Sequence, residues 1–163
     1  MRRSRQALTD KETQEILETG ITGILGVQGD DDYPYTIPIN YVYLNKKIYM
    51  HCATSGHKID AIKKNEKVSF CVIAKDTVVP EKFTTFYRSA IAFGRARLLS
   101  EGKEYDDAIY ALSKKYSPNE TEDCIENEIK SSLGRFLIIA IDIEHLTGKE
   151  AIELVRKRED NKE

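Results

Sequence analysis

The stretch YTIPINYVYLNKKIYMHCATSGHKIDAI, residues 35–62, changes its periodicity part-way along. At its start the odd positions Tyr35, Ile37, Ile39, Tyr41 and Tyr43 make an apolar and aromatic face, and the even positions Thr36, Pro38 and Asn40 make a polar one. Period two is the pattern of a half-buried β-strand. NKK, residues 45–47, predicts a turn, and IYMHCA returns as the next strand, giving a hairpin. Pro38 has no N–H to give to a ladder, so it predicts an edge position or a bulge. After Ala53 the period becomes helical: TSG is a loop, and GHKIDAIKKN, with Ile59 and Ile62 three apart, predicts a short helix.

Outward from this segment, LTDKETQEILETG places Thr9 three residues before Glu12, the spacing of a capping box. Gly20 predicts a left-handed helix end. Leu8, Ile16 and Leu17 form a narrow apolar stripe, which predicts a helix lying on something larger. ITGILGVQG, the turn GDDDYP and the strand beginning at Tyr35 read as strand, loop and strand over residues 21–44. KVSFCVIA is a strand, followed by a loop through Pro80. KFTTFYRSAIAFGRARLLS is a long extended run in which Gly94 predicts a bulge or a close backbone approach.

Two helices follow. The first has Tyr105, Ile109 and Leu112 at helical spacing, and the second is TEDCIENEIKSSLG, closed by a glycine. RFLIIAIDIEHL is the last strand, and TGKEAIELVRKREDNKE reads as a charged tail, frayed at its end. These elements predict an α+β protein, mainly β: a six-stranded antiparallel barrel with flanking helices, forming one domain over residues 1–163.

The composition, 40% hydrophobic and 32% charged in 163 residues, is that of a soluble globular protein. No apolar run is long enough to span a membrane, and no apolar region follows MRRSRQ as a secretory signal would require. Cys52, Cys71 and Cys124 lack any C-x-x-C pairing and predict free thiols in a reducing compartment, hence the cytoplasm. A formal charge of −2 excludes a whole-protein electrostatic footprint for nucleic acid.

The segment HCATSGHKID, residues 51–60, admits three readings. His51, Cys52 and His57 suggest a metal, but nothing nearby completes a set of three or four ligands. Thr54, Ser55, Gly56 and Lys58 at the start of a helix suit a phosphate, because unpaired N–H groups point there. A plainer reading has Thr54 or Ser55 as a helix cap and Lys58 as a solvated lysine. GDDDYP lacks the EF-hand pattern and reads as a solvated hairpin tip.

The runs PYTIPINYVYLNKKIYMHCATSGHKIDAI, VSFCVI, FYRSAIAFGRARLL and HLTGKEA resemble the pyridoxamine 5′-phosphate oxidase-like FMN-binding split-barrel proteins. Within them, the sequence is most similar to the nitroimidazole-resistance, or Nim-type, flavoproteins. The resemblance implies a homodimer with two FMN sites at the subunit interface and two-electron reduction of a small molecule. It implies that Thr36, Pro38, Ile39 and Asn40, with His51, Cys52 and Ala53, lie along the flavin, and that Gly56, His57 and Lys58 hold its phosphate. It further implies that Ser89, with Arg88 beside it, reaches the flavin of the other subunit.

Relatives often carry arginine where His57 stands. Pyridoxamine-phosphate oxidation itself is disfavoured, since those enzymes carry C-terminal tryptophan and arginine residues and this chain has no tryptophan. His51 is either a proton or hydrogen-bond donor near the flavin or a satisfied strand residue. Cys52 reads as packed or close to the flavin rather than as a nucleophile, and His145 as structural or interfacial. Arg88 could equally pair with a carboxylate. The alternatives to an oxidoreductase are a non-catalytic flavin or heme binder on the same barrel, and an interaction module without cofactor.

Overall fold

The computed structural model describes residues 4–160. Helix α1 (Asp10–Thr19) starts at the expected capping box: the Thr9 side chain accepts from the Glu12 N–H, and the Glu12 carboxylate accepts from the Thr9 N–H at 2.9 Å. It ends at Gly20, which is extended, not left-handed (φ −66, ψ 141). Glycine is needed there for space, since a Cβ would lie 2.6 Å from both the Tyr41 hydroxyl and Val72 Cγ1. Ile16 and Leu17 are buried, as the narrow stripe predicted.

The strands are β1 (Thr22–Gln28), β2 (Pro34–Asn40), β3 (Val42–Leu44), β4 (Lys47–Ala53), β5 (Lys67–Val79), β6 (Thr84–Leu99) and β7 (Phe136–Glu150). Helix α2 (His57–Lys64) follows β4. Helices α3 (Lys103–Tyr116) and α4 (Glu122–Ser132) lie between β6 and β7, and α5 (Ile152–Asp160) follows β7. All neighbouring strands are antiparallel, in the order β2-β1-β5-β6-β7-β4-β3. The two ends of that order, β2 and β3, are separated in the chain by Tyr41 alone. The sheet therefore rolls until its edges are one residue apart, which makes an incompletely closed barrel.

There are seven strands, not six, because the expected single strand over residues 35–44 breaks at Tyr41. The Tyr116 hydroxyl accepts from the Tyr41 N–H at 2.9 Å and donates to the Tyr41 carbonyl at 2.8 Å, taking both groups out of the ladder. The Tyr41 ring is buried, and its hydroxyl donates to the Leu17 carbonyl at 2.8 Å. The odd positions Tyr35, Ile37, Ile39, Tyr41 and Tyr43 still share one face, all packed against the barrel core. Asn45 (φ 51) and Lys46 (φ 62) form the two-residue turn, both with positive φ as the tight hairpin geometry requires.

Pro38 lies on β2, which pairs only with β1, so it does occupy an edge. Gly94 is both of the things its position suggested. The β6–β7 register shifts between Phe93 and Gly94, and a Cβ at Gly94 would sit 2.2 Å from the Asp142 carbonyl oxygen.

The last strand continues to Glu150 through residues expected in a frayed tail, because β6 is long enough to pair with it as far as Arg88 opposite Glu150. After it, α5 buries Val155. A second apolar cluster, including Tyr105, Ile109 and Leu112 of α3, covers the outside of β3, β4 and β7. The continuous burial of Ile138, Ile139, Ala140 and Ile141 follows from cover on both faces. On the outer face of β5 and β6, Ile73 and Phe93 stand 55% and 49% exposed. Among the described residues, no helix is long and apolar enough to cross a membrane.

Candidate functional site

The barrel is split between β2 and β4. Among the described residues, β2 has no partner on its second edge, and β4 beyond Tyr49 pairs only with β7. The two strands nevertheless approach each other. Alternation turns Thr36, Pro38 and Asn40 of β2 outward, and likewise His51 and Ala53 of β4; all five are exposed. One outer surface beside the split thus carries a hydroxyl, a proline ring, an amide, an imidazole and a methyl group. Ile39 and Cys52, expected in the same set, turn inward: Ile39 packs on the barrel core and Cys52 is 5% exposed. Burial pushes the Cys52 thiol up, with the Lys58 charge opposing, so it is a poor nucleophile. The three cysteines are free thiols.

At one end of this surface lies the turn from β4 into α2. The N-cap is Gly56, with φ 124, and no side chain caps the helix, so neither Thr54 nor Ser55 takes the capping role. The N–H groups of Ile59 and Asp60 bond the Gly56 carbonyl, whereas those of His57 and Lys58 find no carbonyl among the described residues. Lys58 is half-buried and, among the described residues, has no carboxylate partner. A Cβ at Gly56 would meet nothing, so the approach to the turn is open. Thr54, Ser55, two amides and an ammonium therefore surround an uncapped helix start, a donor-rich site for an anion.

His57 is more encumbered. Its Nδ1 lies 3.4 Å from Asp30 Oδ2, and its ring meets Tyr35 edge-on at 4.6 Å. Sequence reasoning missed both contacts. GDDDYP reads as a turn, and only the β1–β2 hairpin places its tip beside α2.

At the opposite end, Asn40 and His51 both line a pocket of about 350 Å3 that reaches under α3 and α4. Asn40 Oδ1 accepts from the Thr22 hydroxyl at 3.4 Å, leaving the amide NH2 without a partner among the described residues. The His51 ring stands 6.1 Å from that of Phe136, at 78°.

Arg88 and Ser89 lie elsewhere and on opposite faces. Ser89 is directed outward with Ile91 and Phe93, opposite Ile73 and Lys149. Arg88 meets the Glu12 carboxylate at 2.9 Å and that of Glu150 at 3.5 Å, while Arg158 meets the same two. The carboxylate pairing is what the structure gives Arg88. His145 is exposed and stacked on Phe93 at 6.3 Å.

The sequence model of the pyridoxamine 5′-phosphate oxidase family matches residues 9–150. The chain belongs to that family. No curated protein sequence matches it closely. Among solved structures, a conserved hypothetical protein from Mycobacterium tuberculosis is similar with TM-score 0.78 and 16% identity, over 91% of this chain and 88% of that one. A candidate 5-nitroimidazole antibiotic resistance protein from Bacteroides thetaiotaomicron gives TM-score 0.70 and 17% identity, over 88% and 86%. A FAD-binding protein from Mesorhizobium loti gives 0.62 and 20%, over 90% and 97%. At these identities the likenesses establish the fold of this family member and nothing finer.

Proposed function

We propose that the surface beside the β2–β4 split is an FMN site, completed by a second copy of the chain, and that the protein is a cytoplasmic FMN-dependent oxidoreductase of the Nim type. The observation that carries this reading is the continuity of the surface. The uncapped start of α2 supplies donors for a phosphate, and the outward row Thr36, Pro38, Asn40, His51 and Ala53 leads from it to an open pocket. Those residues fit the cofactor. Lys58 and the free amides of His57 and Lys58 suit a phosphate monoester. Pro38 and Ala53 offer small apolar contacts to a flat ring, and the Asn40 amide and His51 imidazole offer hydrogen bonds to its polar edge. The neighbour described as FAD-binding and the one linked to nitroimidazole resistance support flavin chemistry on this fold.

When bound, FMN would supply two-electron transfer, while the chain positions the ring, excludes water from one side and holds a hydrogen-bond donor, His51, at its rim. The second copy is drawn to the outer face of β5 and β6. Ile73, Ile91 and Phe93 form an exposed apolar patch there, with Ser89 beside them, and such patches mark interaction surfaces.

The test is the absorption spectrum of the protein as purified, identification of the small molecule released on denaturation, and the mass in solution. Flavin bands, released FMN and a dimer are expected. A colourless protein that fails to bind added FMN at micromolar concentration overturns the reading, and a Soret band replaces it with heme binding.

A further inference from the structure

The pocket under α3 and α4 shares Asn40 and His51 with the surface described above, and the rest of its lining is left unused by the contacts assigned there. We propose that it binds the molecule that reacts at the flavin, and that it selects a flat, neutral system of one or two fused rings with its hydrogen-bond acceptors at the end facing Asn40 and His51. This rests on the flavin reading only for what the pocket adjoins.

At about 350 Å3 the pocket is of the size that holds small ligands. Ile109 and Leu112 of α3 and Ile129 of α4 line its helical side, and Phe136 comes from β7. Phe136 and His51 stand nearly perpendicular, at 78°, so a flat ring can lie along one and meet the edge of the other.

The pocket's hydroxyls are already committed. Ser113 donates to the Ile109 carbonyl at 2.9 Å, Ser132 to Glu128 Oε1 at 3.1 Å, and Tyr116 to the Tyr41 carbonyl at 2.8 Å. The donors with no protein partner among the described residues are the Asn40 amide and the His51 ring, both at the flavin end, and the two N–H groups of the Asn40 amide allow it to serve the flavin edge and a second molecule together. A ligand therefore satisfies acceptors only in that direction, and its other end must be apolar. The lining contains no lysine or arginine, and its one carboxylate is Glu128. An anionic ligand meets repulsion that no lysine or arginine of the lining offsets.

The test uses two probes of similar size, neutral chromone and anionic 1-naphthoate, titrated calorimetrically into FMN-loaded and flavin-free protein. Chromone is expected to bind at least about fivefold more tightly than 1-naphthoate, and Glu128→Gln to narrow that ratio. Ile129→Trp, which fills the pocket, is expected to weaken chromone at least about tenfold while leaving FMN retention unchanged. Ser132→Phe, at the end of α4, provides the same block should Ile129→Trp not fold.

Equal binding of the two probes overturns the selectivity. Loss of FMN together with chromone in a folded blocking variant overturns the assignment, since the flavin ring itself would then occupy the pocket. Failure of the flavin reading shows separately, as wild-type protein that takes up no FMN. Chromone binding in that protein, abolished by the blocking variants, still supports the pocket.

Discussion

Two polar regions of this barrel are built in opposite ways. Where β4, β6 and β7 meet α3, every charge is answered. Arg97 Nε lies 2.6 Å from Asp142 and Arg97 Nη2 2.9 Å from Glu104, while Lys47 sits 3.0 Å from each of those carboxylates and the Tyr49 hydroxyl donates to Glu104 at 3.0 Å. At the β4–α2 turn, Lys58 and the amides of residues 57 and 58 have no partner among the described residues. Both regions are reached from β4, one at each end. A saturated cluster ties elements together and has nothing left to offer a ligand, whereas an unsaturated one stabilises the fold little and keeps its donors for something else.

The sharpest way to break this contrast is Lys58→Ala. On the FMN reading it removes a charged hydrogen bond to phosphate worth about 1.5–3 kcal/mol, so FMN affinity, followed by flavin fluorescence, should fall about tenfold to a hundredfold. The urea midpoint of the flavin-free protein should not move. In the wild type, FMN at a hundred times its Kd should add about 2.7 kcal/mol of stability. A Lys58→Ala protein that is destabilised without flavin would make the turn structural after all.

Arg97→Met tests the other side. It leaves Glu104 and Asp142 to share Lys47 alone, and because the cluster is only half-buried the cost should be about 1 kcal/mol in urea unfolding. FMN affinity should be unchanged. An effect of Arg97→Met on flavin binding would mean that the two ends of β4 are coupled.

The sequence made different parts of this architecture legible for identifiable reasons. Local signals carried through: the alternating face from Tyr35 to Tyr43, the turn after Leu44 and the Thr9–Glu12 capping box all depend on neighbours or on the strand itself, and Gly94 stood out as a break within its strand although the group it makes room for, the Asp142 carbonyl, lies far along the chain. What was lost depends on residues far along the chain. Tyr41 leaves the ladder because of Tyr116, and Gly20 is small because of Tyr41 and Val72. The charged residues after Leu146 form a strand because β6 outlasts the apolar run.

In the candidate site, the outward set on β2 followed from period two, but applying the family resemblance to whole runs of residues swept in the inward-turned Ile39 and Cys52. The pocket was invisible because α3 and α4 contribute to it residues that read as ordinary helix faces.

A pH titration sharpens the same comparison. The guanidinium of Arg97 and the ammonium of Lys47 hold the Glu104 carboxyl down to about 2, from an ordinary 4.5. A carboxyl depressed on folding contributes stability above its unfolded value, and that contribution is lost as the pH falls from about 4.5 through 2. The melting temperature of the wild type should therefore drop more steeply between pH 5 and 2 than that of Glu104→Gln. Two parallel curves would show that the cluster is not answered in solution as it is in the structure. The opposite limb belongs to Tyr49, pushed up to about 12 by burial and by Glu104. Its contribution is present below its ordinary 10 and is lost as the pH rises toward 12.

The smallest effect should come from Asp30→Asn. Asp30 stands against the phosphate-binding end of the proposed site, 3.4 Å from His57 Nδ1 and largely exposed. Three consequences follow from removing it, two of them opposed by the third. An anion at the α2 start loses a repulsive neighbour, and His57 loses the partner that diverts it from that anion; both favour FMN. Against them, His57 loses a contact that holds its ring edge-on to Tyr35. Exposed ion pairs contribute less than about 1 kcal/mol to the fold, so the change should appear as FMN bound about two- to threefold more tightly with little change in melting temperature. Weaker FMN binding by Asp30→Asn would reverse the assignment of His57, making its placement by Asp30 a requirement for holding the phosphate.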